Sequence, residues 1–266
     1  MKIAIVGADG RMGKMLIEAV VQHPDCQLHS AFCLPDSPQK GKDATEFLGQ
    51  NSGVKVNDDL TALQGADCLI DFTRPEGTLK HVQVCRQYRV KMVIGTTGFS
   101  AEQLQAIQDA AQEIAIVLSP NMSIGVNAMY ALLEQAGTIF DDNYDVEVFE
   151  AHHRNKVDAP SGTALKMAEV IAQAKGRELE AVADWARHGH TGVRKRGQIG
   201  FAVMRGGDII GDHTVSFCGP GERIEITHKA SNRSIYAQGS LKAAAFLQQQ
   251  AHGFFSMRDV IAQSLS

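Results

Sequence analysis

The stretch KIAIVGADGRMGKMLIEAVVQH, residues 2–23, decides the fold class of this chain. It begins with a short apolar run that predicts a buried strand, and it ends with apolar residues at helical spacing. Gly7, Gly10 and Gly13 lie between these two segments. Glycines let the backbone approach a phosphate closely, and a helix N-terminus attracts negative charge. The stretch therefore predicts a turn that binds the pyrophosphate of a dinucleotide.

The spacing of these glycines departs from the usual dinucleotide pattern, G-x-G-x-x-G. Here it is G-x-x-G-x-x-G, with Asp9 in place of the second glycine and Met12 in place of the third. Arg11 favours a binding function, because a guanidinium at this position can reach phosphate oxygens. The alternative is a tight strand-to-helix turn that binds no ligand.

Strands and helices alternate through the first half of the chain. The predicted strands are KIAIV, CQLHSAFC, DCLIDF, KMVIGTTG and IAIVLSP, and the later helices are GTLKHVQVCRQY and SAEQLQAIQDAAQE. This alternation predicts βαβ units and a parallel sheet.

The pattern changes after about Asn127. The helices NAMYALLEQAGTIF and SGTALKMAEVIAQAKG are accompanied by the strands DVEVFEAHH, IGFAVM, DIIGDHTVSFCG and ERIEITHKA. This succession predicts an antiparallel or mixed sheet in a second domain. The chain ends in two predicted helices, IYAQGSLKAAAFLQQQ and FSMRDVIAQSL, which could cover either domain.

Composition narrows the classes of function. The 266 residues carry a formal net charge of −4, so we expect no nucleic-acid partner. The five cysteines are odd in number and form no CxxC pair, which disfavours a disulfide framework and indicates a reduced, cytoplasmic compartment. The N-terminus does not resemble a signal peptide, and no apolar run approaches about 18 residues, so we expect no membrane partner.

Small or polar residues follow three further strands of the predicted parallel sheet. In an open sheet of this kind, ligands bind beyond the carboxyl ends of the strands. The sequence therefore predicts a cofactor trough, with ordinary loops as the alternative. Its lining residues would be Thr73, Gly95, Thr96, Thr97, Ser119, Pro120, Asn121 and Met122.

The segment EAHHRNKVDAPSGTA, residues 150–164, concentrates cationic and proton-transferring side chains before a predicted helix. Ser161 is a candidate N-cap, with Gly162 and Thr163 in the first turn, where free N–H groups can bind a carboxylate. This arrangement suits a dianionic substrate that must also receive a proton. The alternatives are that one histidine is merely packed and that Asp158 simply pairs with a cation. We expect no metal site, because no third ligand has suitable spacing.

At this point the sequence resembles the 4-hydroxy-tetrahydrodipicolinate reductase (dihydrodipicolinate reductase) family of lysine and diaminopimelate biosynthesis. The matching stretches span nearly the whole chain, and the EAHH…K.DAPSGTA element is the most specific. They are GADGRMG, DFTRPEGTLKH, VIGTTGF, SPNMSIGVN, EAHHRNKVDAPSGTA, HTGVRKRGQIGFAVMRGGDIIGDHTV and ERIEITHKASNR.

The resemblance implies an α/β fold with two domains. Residues 1–124 and 235–266 would form a Rossmann-like, doubly wound parallel sheet that binds the dinucleotide. Residues 125–234 would form an α+β domain with an open mixed sheet that binds substrate and builds a homotetramer. The implied reaction is the NAD(P)H-dependent reduction of 4-hydroxy-tetrahydrodipicolinate to tetrahydrodipicolinate, a small dicarboxylate.

The resemblance also assigns roles to single residues. His152 matches the proton donor and Lys156 a second catalytic cation. The implied substrate contacts are His153, Ser161, Gly162, Thr163 and Arg233. The implied cofactor contacts in the glycine turn are Gly7, Ala8, Asp9, Gly10, Arg11 and Met12.

Two other functions remain open from the sequence alone. One is a different two-domain Rossmann dehydrogenase of amino-acid metabolism, although none of the five cysteines lies in the setting of a reactive nucleophile. The other is a non-enzymatic NAD(P) sensor, which would not need His152 and Lys156 beside a carboxylate-binding helix start.

The choice between NADPH and NADH is the point at which the chain departs from the family pattern. Some relatives carry an acid followed by an arginine after the second strand, where Cys33 and Leu34 stand here. An acid there would favour NADH, and an arginine would hold the phosphate of NADPH. The nearby cations are Arg11, Lys40 and Lys42, opposed by Asp9 and Asp36. We therefore expect both cofactors to work.

Overall fold

The chain divides into two compact units in the computed structural model, which describes residues 1–263. The first unit comprises Met1–Ile124 and the segment from Ser234 onward, and the second comprises Gly125–Arg233.

The strands and helices follow one another along both units. The strands are β1 Lys2–Val6, β2 Gln27–Phe32, β3 Val56–Asn57, β4 Cys68–Asp71, β5 Lys91–Ile94, β6 Ala115–Leu118, β7 Asp145–His152, β8 Ala183–Asp184, β9 Ile199–Arg205, β10 Asp212–Gly219, β11 Glu222–Lys229 and β12 Gly253–Phe255. The α-helices are α1 Arg11–Gln22, α2 Pro75–Tyr88, α3 Ala101–Ala110, α4 Ile124–Ile139, α5 Gly162–Ala174, α6 Leu179–Val182, α7 Ser234–Gln248 and α8 Met257–Ala262. Short 3₁₀ helices cover Glu46–Leu48 and Leu60–Leu63.

The first unit is built on a seven-stranded parallel sheet in the order β12-β6-β5-β4-β1-β2-β3. Alternate residues of β1 enter two different cores. Ile3 and Ile5 pack with α1 and α7 on one face, whereas Ala4 and Val6 pack with α2 and α3 on the other. Helices on both faces confirm the predicted doubly wound architecture.

Two strands of this sheet were not predicted. β3 has two residues and β12 has three, which is too short for a periodic signal. β12 pairs with β6, so Phe255 belongs to a strand and the predicted C-terminal helix begins at Met257 instead. The predicted end of that helix at Leu265 lies outside the described residues.

The second unit contains a five-stranded mixed sheet in the order β11-β10-β7-β9-β8. β10 runs antiparallel to β7 and β11, and β9 runs parallel to β7 and β8. α4 and α5 cover one face of this sheet, where Leu133 and Ile171 pack against Val148 and Phe217. The open mixed sheet predicted from the sequence is therefore confirmed.

Some boundaries in the second unit differ from the prediction. α4 begins at Ile124, three residues before the predicted start, because Gly125 lowers the helical signal there. β10 begins at Asp212 and not at Asp208, since the turn that starts at Gly207 includes Asp208 and the chain joins the sheet only after Gly211. Within residues 1–263, no helix has the length and apolar character needed to cross a membrane.

Candidate active site

The glycine turn between β1 and α1 has the geometry of an anion-binding site despite its unusual spacing. Gly7 adopts a left-handed conformation with φ +66°, and its oxygen accepts a hydrogen bond of 2.9 Å from the amide of Gly10. A Cβ on Gly13 would lie 2.0 Å from that same oxygen. Gly13 thus provides the close helix packing that the third glycine of G-x-G-x-x-G usually provides.

The N-terminus of α1 is open to a negatively charged group. Gly10 is its N-cap and supplies no side-chain acceptor, and the first turn contains no acidic residue. The first N–H groups of α1 therefore lack side-chain partners at this end. Arg11, the first residue of the helix, is exposed. These features fit the pyrophosphate of a dinucleotide.

The predicted trough residues follow strands that are neighbours in the sheet, because β6, β5, β4 and β1 are adjacent and parallel. Thr97 and Pro120 are exposed, and the other predicted positions divide into two groups. Thr73, Gly95 and Asn121 are half-buried, whereas the buried members are Thr96, Ser119 and Met122. The buried side chains shape the loops from beneath.

A buried carboxylate that is not among the predicted site residues joins two of these loops. Asp71, at the end of β4, accepts hydrogen bonds from the amide (2.8 Å) and hydroxyl (2.7 Å) of Thr73. It also contacts Nδ1 of His81 at 2.7 Å and the hydroxyl of Thr96 at 3.4 Å. Burial would raise the pKa of Asp71, but the hydrogen bonds from His81 and Thr73 outweigh it and lower that pKa. The sequence signal for this buried carboxylate was an aspartate at the end of an apolar strand.

The loop after β2 carries the charged residues that the sequence relates to the choice between NADPH and NADH. Leu34 is exposed, and Asp9 accepts a hydrogen bond of 2.7 Å from the hydroxyl of Ser37. Lys40 forms an ion pair of 2.7 Å with Asp58, a residue absent from the prediction. Lys40 is therefore partly neutralised, whereas Lys42 is exposed.

The two adjacent histidines at the end of β7 differ in burial. His152 is the last residue of β7 and is buried, whereas His153 is half-buried. His153 lies beyond the end of β7, where the chain leaves the sheet, whereas His152 is the last of three consecutive buried residues of the strand. Lys156 forms an ion pair of 2.8 Å with Asp158, as the alternative for Asp158 anticipated.

The helix that follows begins as the sequence predicts. The hydroxyl of Ser161 caps α5 by accepting a hydrogen bond of 3.2 Å from the amide of Ala164. Gly162 and Thr163 occupy the first turn. Gly162 is exposed, and a Cβ on it would meet no atom within 4 Å, so the start of α5 borders open space.

A second buried carboxylate lies beneath His152. Glu150 is fully buried and contacts Nδ1 of His152 at 2.6 Å, the amide of Ser161 at 3.0 Å and the guanidinium of Arg205. The ring of His213 packs edge-on against His152 with 5.1 Å between centroids. Neither Glu150 in a role of its own nor these distant partners follow from the sequence. Arg205 on β9 lies 55 positions from Glu150, and His213 on β10, whose Nε2 is 3.2 Å from the hydroxyl of Ser161, lies 52 positions from that serine.

Burial lowers the pKa of both His152 and His213. At His152 the Glu150 carboxylate opposes this effect. Burial lowers the pKa of His213 to about 4, so that ring is neutral near pH 7. Arg233 lies in the segment after β11 and stays a prediction as a substrate contact. Among residues 1–263, no group of three side chains of the metal-binding types is placed to hold a metal ion.

Two family models match the chain. Residues 1–122 match the N-terminal domain of dihydrodipicolinate reductase, and residues 125–261 match its C-terminal domain.

Similar proteins cover nearly the whole chain. The 4-hydroxy-tetrahydrodipicolinate reductase of Bordetella parapertussis is 59% identical over 260 residues, which cover 98% of this chain and 97% of that protein. The reductase of Polynucleobacter necessarius is 57% identical over 262 residues, covering 98% of each chain. The solved structure of dipicolinate-bound dihydrodipicolinate reductase from Paenisporosarcina sp. TG-14 has a TM-score of 0.76 and 27% identity, covering 96% of this chain and 97% of that one. This chain therefore belongs to the dihydrodipicolinate reductase family.

Proposed function

We propose that this chain reduces 4-hydroxy-tetrahydrodipicolinate to tetrahydrodipicolinate with His152 as the proton donor. The observation that carries the proposal is that buried His152 ends β7 shortly before the exposed start of α5. The curated relatives of this chain are reductases of this substrate. A sensor would bind the dinucleotide without any use for this arrangement. An assay of NAD(P)H oxidation with enzymatically generated substrate tests the activity.

The chain is an oxidoreductase that uses NADPH or NADH. The glycine turn would hold the pyrophosphate, and the loops after β4, β5 and β6 would hold the nicotinamide half. When bound, the reduced nicotinamide supplies a hydride to the conjugated imine of the substrate. Asp71 accepts hydrogen bonds from the amide and hydroxyl of Thr73, which orders the start of the loop after β4.

His152 supplies the proton that the reduced ring then requires. Its Nδ1 is engaged by Glu150, which leaves Nε2 as the atom that transfers the proton. Because burial lowers the pKa of His152, its imidazolium is a stronger acid than an exposed histidine and releases the proton readily.

Lys156, His153 and the first turn of α5 would hold the two carboxylates of the substrate. The ammonium and the N–H groups of the helix start would stabilise negative charge as it shifts during reduction. The dipicolinate bound by the Paenisporosarcina protein is itself a dicarboxylate, which supports this assignment.

The assembly would be a homotetramer formed through the open face of the mixed sheet, and the enzyme would act in the cytoplasm. Phe149 and Met204 expose apolar side chains on β7 and β9, at strand positions that alternate with the buried core residues Val148 and Phe201. Exposed apolar residues grouped on one sheet are typical of an interface. All five cysteines are free thiols, which supports a reducing compartment.

His152→Gln is expected to lower kcat by about 10²–10⁴-fold, because it removes the proton donor. The dissociation constant of NADPH, measured by fluorescence, should be nearly unchanged, since no phosphate contact is lost. His252→Gln, at an exposed histidine after α7, is the matched control and should retain wild-type kcat. A loss smaller than tenfold in the His152 variant would count against the proposed role.

Thr163→Val is expected to raise KM for the substrate more than it lowers kcat, because it removes a hydroxyl from the helix start. Ser161→Ala should instead lower the free energy of unfolding by about 0.5–2 kcal/mol, since it removes the N-cap of α5. Steady-state kinetics and urea denaturation separate the two effects. An unchanged KM for the Thr163 variant would refute the contact.

Both cofactors should support turnover, with NADPH moderately favoured at low ionic strength and the preference decreasing as salt rises. The attraction would come from exposed Arg11 and Lys42, and exposed charges are screened by salt. Asp58→Asn should enlarge the preference by releasing Lys40 from its ion pair. The measurement is kcat/KM for both cofactors at two salt concentrations. A large, salt-independent preference for NADH would identify Asp36 as the ribose-binding acid.

Native mass spectrometry should give four times the chain mass of 28.8 kDa. Phe149→Lys should shift the distribution to smaller species, because it buries a charge in the sheet interface. Fractionation of the producing cells should place the enzyme with the cytoplasmic proteins. A monomeric wild-type mass at micromolar concentration would exclude the proposed assembly.

A further inference from the structure

We propose that Glu150 is a positioning residue that fixes, through one buried carboxylate, both the proton donor His152 and the start of α5. This inference rests on the role proposed above for His152. It adds a residue that neither the resemblance nor the comparisons assign.

The two oxygens of Glu150 contact two different parts of the site. Oε2 lies 2.6 Å from Nδ1 of His152, and Oε1 accepts a hydrogen bond of 3.0 Å from the amide of Ser161. His152 ends β7, and Ser161 is the N-cap of α5. One carboxylate therefore sets the distance between the imidazole and the helix start that would hold a substrate carboxylate.

Arg205 holds the carboxylate itself in a fixed orientation. Its Nη1 donates to Oε2 of Glu150 at 2.8 Å and its Nη2 to Oε1 at 2.7 Å, which is a bidentate pair. The same guanidinium donates to the carbonyls of Met204 (2.7 Å) and Asp158 (2.6 Å). Arg205 lies directly opposite His152 in the pairing of β9 with β7. The pairing of these strands thus places the arginine beside the carboxylate that it orients.

The ionisation of Glu150 determines which nitrogen of His152 transfers the proton. Burial would raise the pKa of Glu150, but hydrogen bonds from Arg205, His152 and the Ser161 amide outweigh it and lower that pKa. An ionised carboxylate only accepts hydrogen bonds, so Nδ1 of His152 must carry a hydrogen. Nε2 is then the nitrogen that gains and loses the second proton. A Cβ at Gly211 would lie 3.0 Å from Nε2, so a glycine keeps the space beside this atom clear.

The charged and titratable groups around His152 come from four segments. Glu150 lies on its own strand, Lys156 and Asp158 follow it, Arg205 is on β9, and His213 is on β10. Burial lowers the pKa of His152, the Glu150 carboxylate raises it, and Lys156 and Arg205 lower it. Neutral His213 adds no full charge near pH 7. Glu150 and Arg205 therefore act on the proton donor in opposite directions.

Because Glu150 and Arg205 shift the pKa of His152 in opposite directions, variants of the two residues distinguish a positioning role from a merely structural one. The proton donor is active when protonated, so kcat falls as pH rises through the pKa of His152 in the bound complex. Glu150→Gln keeps the shape and removes the charge, and it should move the midpoint of this fall to lower pH by about one unit or more. At pH values above both midpoints, kcat should then be lower by about tenfold. Arg205→Gln should move the midpoint to higher pH.

Glu147→Gln is the matched control. Glu147 is also a β7 glutamate with arginine partners, Arg187 and Arg194, but it pairs away from His152. Its variant should leave the midpoint where the wild type has it. If Glu150→Gln and Arg205→Gln move the midpoint in the same direction, or lower kcat without moving it, the positioning role is wrong.

Histidine Cε1–H NMR of the intact, substrate-free enzyme separates this proposal from the proposed function. The resonance of His152 is assigned by its loss in His152→Gln, and its titration needs no turnover. A lower titration midpoint in Glu150→Gln is the expected result, and an unchanged midpoint overturns the proposal. A lowered titration midpoint with an unmoved kcat profile would instead overturn the proton-donor role of His152. Arg205→Lys keeps the charge and should titrate close to the wild type, which covers the case in which Arg205→Gln fails to fold.

Discussion

The carboxylate of Glu150 is removed from water, and the second unit is arranged so that this charge has partners. A buried carboxylate without hydrogen bonds is costly enough that it normally takes up a proton. Here a guanidinium from β9, an imidazole from β7 and an amide from the start of α5 surround it. The requirement to satisfy one charge therefore draws together the three elements that would form the proposed substrate site.

The first unit meets the same physical constraint at Asp71. This carboxylate is also fully buried at a strand end, and it is also partnered by a histidine and a backbone amide. In both units the charge lies beneath the loop that would contact the ligand. The groups proposed to bind the ligand are held by hydrogen bonds that do not depend on it, which would lower the ordering cost of binding.

The glycine turn shows that the geometry expected of a phosphate-binding turn tolerates a different glycine spacing. Only the contacts are required: a left-handed residue after the strand, an uncapped helix start, and a helix that approaches the turn closely. Gly7, Gly10 and Gly13 meet these requirements in turn. The geometry of the turn is therefore a more general description than the G-x-G-x-x-G motif. In this chain Gly13, three residues beyond Gly10, provides the close packing of the helix against the turn.

The sequence by itself determined those features that depend on neighbours along the chain. Hydrophobic periodicity placed the long strands and helices, and the Ser161 cap and the glycine turn follow from local hydrogen bonding and backbone freedom. The EAHH segment likewise identified His152 as the candidate proton donor. Only the tertiary structure decided which distant residues meet. Strand pairing brings Arg205 to Glu150 across 55 positions, the fold joins Lys40 to Asp58 across 18, and β12 becomes a strand because the edge of β6 offers it partners. Burial and pairing between distant segments stabilise these contacts. A local pattern of residues contains no information about either effect.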